Sequence, residues 1–170
     1  MHRQLIPTPV GSLLAVWTND AELQSCGFSH LRSLEIQPQT ACLPSQVLSQ
    51  RQDWLADKLA SYFADGVLEW DLGWLDWSGI TEFHQRVLRA CYEIPPGETV
   101  SYGDLAARAG SPRGARAVGS AMARNRWPLL IPCHRVLGAS GQLTGYSGTG
   151  GLETKRWLLE LESRNMTICS

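Results

Sequence analysis

The stretch Ser101-Tyr102-Gly103-Asp104-Leu105-Ala106-Ala107-Arg108-Ala109-Gly110-Ser111-Pro112 limits what this chain can fold into more than any other. Ser101 with Asp104 three residues later forms a capping box, Asp standing in the usual place of Glu, and opens a short helix through Arg108. Gly110 suits the left-handed residue that ends a helix, Ser111 a following N-cap and Pro112 a first helical position. A second helix is predicted over Arg113–Arg124. Two short helices joined by a tight Gly-Ser turn make a helix-turn-helix, whose second helix normally enters a DNA groove. Here Ala115, Ala117, Gly119, Ala121 and Ala123 keep that helix slim, and only Arg116 projects a long polar arm from its first half. Such a helix suits close approach to a backbone and insertion, not base-edge readout. Helix–helix packing through small residues is the alternative.

Charge favours the nucleic-acid reading. The formal net charge is −1, yet residues 1–79 carry nine acids against four Lys/Arg and residues 80–170 carry seven against eleven. No acid lies between Asp104 and Glu153, where Arg108, Arg113, Arg116, Arg124, Arg126 and Arg135 all fall. A one-sign stretch creates a local positive field for which phosphate is the commonest partner, a solvated arginine-rich face being the plainer reading.

Ahead of this region, Leu5–Pro9, Ser12–Thr18 and Leu23–Phe28 are β-prone runs separated by turn residues, which predicts a three-stranded meander. Cys26 and His30 lack a partner pair, so no metal site is expected there. Residues 38–44 read as loop. Gln46–Ala64 has apolar residues at helical steps and Gly66 as a stop. Trp70, Trp74 and Trp77 follow, and linker packing explains them better than a ligand cage. A composition shift near Ser78–Ile80 divides an N-terminal domain with linker, 1–79, from a C-terminal domain, 80–170. The latter opens with a helix over Thr81–Glu93, stopped by Pro95-Pro96-Gly97, whose buried stripe includes Cys91.

The chemistry points to Ile131-Pro132-Cys133-His134-Arg135-Val136. A reactive thiol needs a neighbouring base or cation to favour the thiolate, and His134 and Arg135 follow Cys133 directly. A buried, inert cysteine is the competing reading. Gly138–Gly141 predicts a hairpin or wing between Val136–Leu137 and Gln142–Leu143. Residues 144–151 form a glycine-rich loop without the Lys-Ser/Thr of a nucleotide-binding P-loop. Leu152–Leu161 is the last helix, and the residues up to Cys169 read as a loose tail. The five cysteines are scattered without any C-x-x-C, which suggests free thiols in a reducing cytoplasm. No apolar run is long enough to span a membrane, and no signal segment opens the chain.

Together these pieces resemble the O6-alkylguanine-DNA alkyltransferase (methylated-DNA–protein-cysteine methyltransferase) family. Ile131–Val136 matches its I-P-C-H-R-V motif in full, and the likeness extends through Phe83, Val87, the run ending at Tyr102, Ala115–Gly119, Asn125, Pro128, Tyr146 and Trp157–Leu159. The resemblance implies an α+β chain: a small RNase H-like β-meander plus helix, then a mostly helical winged helix-turn-helix domain. It implies direct-reversal DNA repair, a stoichiometric and irreversible transfer of an alkyl group from O6-alkylguanine in a flipped-out nucleotide to Cys133, with O4-alkylthymine left open. His134 acts as base through a water, Glu162 orients it, and Asn125 braces the cysteine's turn. Tyr102 rotates the nucleotide and donates a proton toward the ring, while Arg116 replaces the base in the stack. Met122, Pro128, Val136, Tyr146 and Ser147 form the guanine pocket. Ala115, Gly119, Arg124 and Arg135 join Tyr102 and Arg116 at the DNA. No cofactor, zinc or other metal is implied; the partner is double-stranded DNA, met by a monomer whose clustering along the strand is left open. Thr149-Gly150 lengthens the glycine loop and Thr144-Gly145 sits at the pocket mouth, both bearing on alkyl-group size. A non-reacting winged-helix regulator and a cysteine hydrolase are the rival readings.

Overall fold

The computed structural model describes residues 1–28, 45–67, 69–146 and 150–166. Strands β1 (His2–Thr8), β2 (Gly11–Trp17) and β3 (Leu23–Phe28) form an antiparallel meander in the order β1-β2-β3. Alternation decides which face is covered: Leu13, Ala15 and Trp17 of β2 are fully buried. Helix α1 (Gln46–Asp65) packs on the buried face through Leu48, Leu55, Leu59 and Tyr62. Each such side chain contributes roughly 1.5–3 kcal/mol when removed from water. The Ser45 hydroxyl caps α1, and Gly66, at φ 73°, closes its end by donating to the Tyr62 carbonyl at 2.7 Å.

The tryptophans pack as a linker should. Trp54, Trp70 and Trp74 meet with ring centroids 5.0–5.7 Å apart, and Arg51 lies over Trp74. Trp77 lies against Trp127, whose indole N–H donates to the Leu23 carbonyl at 2.8 Å. The Cys26 amide likewise donates to the Arg126 carbonyl at 2.8 Å, so β3 is bonded to the segment that leads to the cysteine motif.

Helix α2 (Glu82–Tyr92) is capped by Thr81 and buries Val87, Leu88, Ala90 and Cys91. The capping box is present in full before α3 (Tyr102–Arg108): the Asp104 amide donates to the Ser101 hydroxyl at 3.1 Å, and the Ser101 amide to the Asp104 carboxylate at 3.2 Å. Gly110, at φ 74°, ends α3 in a Schellman motif, with Gly110 N–H on the Ala107 carbonyl and Ser111 N–H on that of Ala106. The following helix differs from expectation. Residues 111–114 form a turn closed by the Gly114 amide on the Ser111 carbonyl at 2.7 Å, and α4 (Ala115–Ala123) starts from Gly114 without a side-chain cap. Ser, Pro and Gly at the first, second and fourth places favour a type I turn as strongly as a helix start, and the turn prevails.

The wing also differs. The Gly138 amide donates to the Gln142 carbonyl at 2.9 Å, closing the turn, but strand β5 (Val136–Leu137) pairs in parallel with β4 (Val100–Ser101) rather than with the residues after the turn. Helix α5 (Leu152–Met166) completes the described chain and buries Leu158 and Glu162.

Candidate active site

Pro132, at φ −78° and ψ 65°, is the centre of an inverse γ-turn closed by the Cys133 amide on the Ile131 carbonyl at 2.8 Å. A 3-10 turn, Cys133–Arg135, follows, held by the Arg135 amide on the Pro132 carbonyl at 2.9 Å. Asn125 spans the approach to it. Its side-chain amide donates to the Ile131 carbonyl at 3.0 Å and its oxygen accepts from the Trp127 amide at 3.0 Å. Between them Leu129, buried, holds a left-handed φ of 75°, costly for a branched residue.

Cys133 is a free thiol beside a cavity of about 230 Å3 lined by Tyr102, Gly119, Met122, Ala123, Gly145 and Tyr146. The expected pocket residues Tyr102, Met122 and Tyr146 therefore meet the cysteine. Pro128, expected as a pocket wall, instead lines a different cleft with Leu14, Phe28 and Arg126. Ser147 and Thr149 lie outside the described residues, as do His30, residues 38–44 and Cys169.

Behind the thiol is a buried ionic cluster. The Nε2 of His134 lies 2.8 Å from Oε1 of Glu162, both side chains being fully buried. Arg135 donates to both oxygens of Glu162, Nε to Oε2 at 3.0 Å and Nη2 to Oε1 at 2.8 Å, and its Nη1 reaches the Ile94 carbonyl. This corrects the expectation that Arg135 contacts DNA: its guanidinium is buried, and each of its three nitrogens donates to a carboxylate or a carbonyl. Burial alone would raise the Glu162 carboxyl, but the hydrogen bonds from His134 and Arg135 and the charge of the Arg135 guanidinium override it and hold it well below the usual carboxylate range. Burial pushes His134 down despite Glu162, so the imidazole is neutral. Its Nδ1 is buried and has no protein partner, which is what a base working through a water requires.

Two residues absent from the expected site belong to this cluster. The Tyr62 hydroxyl donates to Glu162 Oε1 at 2.8 Å. Lys155, completely buried, donates from Nζ to the Val136 carbonyl at 2.6 Å and the Thr144 carbonyl at 2.9 Å. Burial pushes the Cys133 thiol up, and the Asn125 side chain and the Lys155 ammonium oppose that rise. Neither residue has a local sequence signal. Tyr62 reads as part of an amphipathic stripe, and Lys155 as a solvated charge.

At the opposite wall, Arg116 and Arg124 are exposed, and Ala115 and Gly119 half-buried, on α4. The Arg124 guanidinium folds back onto Ser120 at 2.7 Å.

Comparison with known proteins agrees with this geometry. The family described as 6-O-methylguanine DNA methyltransferase, DNA binding domain, matches residues 82–164. The methylated-DNA–protein-cysteine methyltransferase of Mycobacterium tuberculosis is 53% identical over 106 residues, a match that spans 62% of the length of each. That of Methanosarcina barkeri is 36% identical over 168 residues, covering 98% of this chain and 99% of that protein. The chain belongs to this family. Among solved structures, Mycobacterium tuberculosis OGT in complex with DNA is similar over 97% of this chain and 94% of that one, with a TM-score of 0.77 and 40% identity. In methylated-DNA–protein-cysteine methyltransferase terms, the I-P-C-H-R-V motif here divides its labour: Cys133 borders the cavity, while His134 and Arg135 both turn inward to Glu162.

Proposed function

We propose that the chain repairs DNA by direct reversal, taking an alkyl group from O6 of guanine onto Cys133 once per molecule. The observation that carries the reading is a free cysteine beside a cavity between α3, α4 and the 144–146 segment, backed by a buried imidazole–carboxylate pair. The sulfur attacks the alkyl carbon, the S–C bond forms as the C–O6 bond breaks, and the electron pair leaves on the guanine. Through an intervening water, His134 takes the thiol proton; the Tyr102 hydroxyl supplies a proton toward the ring. Both ends of the transition state are thereby served, and the thioether product gives water no route to regenerate the thiol.

A lesion stacked in a duplex is out of reach, so the nucleotide must flip, at a cost of a few kcal/mol. Arg116, exposed near the start of α4, fills the gap in the stack, while Ala115, Gly119 and Arg124 line the strand and Tyr102 turns the phosphate. Met122, Tyr146 and Ser147 bound the base, and the Val136 carbonyl reads its edge. Residues 1–79 form a supporting domain for the reactive 80–170, acting as a monomer on double-stranded DNA. Free Cys26, Cys91 and Cys133 suit a reducing cytoplasm, and no helix among the described residues is long and apolar enough to cross a membrane.

Intact-protein mass after mixing with a duplex bearing O6-methylguanine tests the reading. The expected result is a stoichiometric gain of one methyl group, located on Cys133 and absent from Cys133→Ala. A folded protein recovered unmodified after long exposure sinks it.

A further inference from the structure

Glu162 carries more donors than one catalytic pair needs. Oε1 accepts from His134, Arg135 and Tyr62, each at 2.8 Å, and Oε2 from Arg135 at 3.0 Å and the Gly97 amide at 3.2 Å. All but one of these donors come from the C-terminal half. Tyr62 reaches in from the last turn of α1, a hundred residues away in sequence. Its placement is fixed. The side chain is fully buried, its carbonyl accepts the capping N–H of Gly66, and Phe63 beside it packs on Trp157 of α5 with ring centroids 6.0 Å apart.

The hydroxyl has two acceptors near it, Glu162 Oε1 at 2.8 Å and His134 Nε2 at 3.5 Å. By donating to the nearer oxygen it leaves Nε2 no donor, so the imidazole must itself donate there; an unprotonated Nε2 at 2.8 Å would set lone pair against lone pair. Burial and the facing carboxylate keep the phenol protonated, hence always a donor. The other charged groups around the pair, Arg135 on Glu162 and Lys155 on the Val136 and Thr144 carbonyls, cannot accept a proton from Nε2.

We propose that Tyr62 is a positioning residue of the alkyl-acceptor site: its hydroxyl fixes the Glu162 carboxylate, which holds His134 as the Nε2–H tautomer and leaves Nδ1 as the base. The inference rests on the reading of Cys133 as acceptor and His134 as its base, and it gives the N-terminal half a part in the chemistry. Partners that orient the ligands of a metal typically change activity by about 10- to 100-fold when lost, and the lower end of that range is the expectation for this metal-free pair.

The test is the rate at which iodoacetamide labels Cys133, read by peptide mass, in Tyr62→Phe, Glu162→Gln and the double variant. Tyr62→Phe keeps the ring and its packing, and should label about 10-fold more slowly at neutral pH. If Tyr62 acts through Glu162, adding it to Glu162→Gln costs nothing further, whereas independent structural effects multiply. Unchanged labelling in Tyr62→Phe, or losses that multiply in the double variant, would overturn the assignment. Imidazole 15N NMR of the unmutated protein and of Tyr62→Phe adds a second reading: Nδ1 of His134 should be unprotonated in the unmutated protein and partly protonated in the variant, and the reverse tautomer in the former, or no change between the two, refutes the proposal. Iodoacetamide requires no DNA. A protein that labels as expected yet leaves O6-methylguanine intact would therefore sink alkyl transfer and spare the role of Tyr62.

Discussion

Arg116 and Arg135 lie in the same acid-free stretch and look equally suited to phosphate, yet the fold puts them to opposite uses. Arg116 stands on the exposed face of α4, whose buried side is Val118, Ala121 and Met122. Arg135 sits in a tight turn behind Cys133 with its guanidinium enclosed against Glu162. The contrast teaches that positive charge in this half takes two distinct settings. One set stands in solvent, where on the proposed reading it meets a polyanion, and the other neutralises a carboxylate that could not otherwise be buried.

Breaking the inner arginine should have the largest effect. Arg135→Ala leaves Glu162 buried without its main counter-charge, and should cost about 3–5 kcal/mol of unfolding free energy, read as a fall in the urea midpoint. Arg116→Ala should leave that midpoint within about 0.5 kcal/mol. It should instead slow transfer from duplex DNA roughly 30-fold, the equivalent of about 2 kcal/mol of lost support for flipping, with little change on free O6-benzylguanine. Equal slowing on both substrates would remove the contrast.

Acid sharpens it next. Burial holds His134 below its ordinary range, so the unfolded chain binds the proton more readily and stability should begin to fall below about pH 6.5. Glu162, held low, contributes stability that is present above about pH 4.3 and lost as pH falls toward its folded value. Urea midpoints should therefore drop from pH 7 to pH 4 through His134 and further from pH 4 to about pH 2 through Glu162, and Glu162→Gln should flatten the part below about pH 4.3. The smallest change concerns Lys155, whose two recorded acceptors are neutral carbonyls. Lys155→Met keeps the apolar stem, so the melting temperature should hold or rise. Iodoacetamide labelling of Cys133 should slow severalfold, since a cation opposing the thiol's upward shift is gone.

Much of the scaffold was legible because its signals are local. Capping of α3 by Ser101 and Asp104, the Gly110 stop and the apolar stripe of α1 depend on neighbours a few residues apart. The start of α4 was misplaced because Ser111-Pro112 suits a turn as well as a cap. The reactive centre was legible only as a motif. Cys133 and His134 could be named from it and Glu162 from the family resemblance, but Arg135 could not be turned inward, since no period governs a 3-10 turn. Tyr62 and Lys155 were invisible for a different reason: their contacts join distant segments, and each side chain has an ordinary reading in its own helix.

The turn that carries Cys133 is closed from both sides, by its own amide on Ile131 and by the Arg135 amide on Pro132. A sulfur anchored in this way can swing only about its side-chain bond, so the protein contributes almost no reach. On the proposed reading, the whole journey falls to the nucleic acid. Repair speed should consequently track how easily a given stretch of duplex bends and opens, and a stiff A-tract around a lesion should protect the damage from a protein that cannot lean toward it.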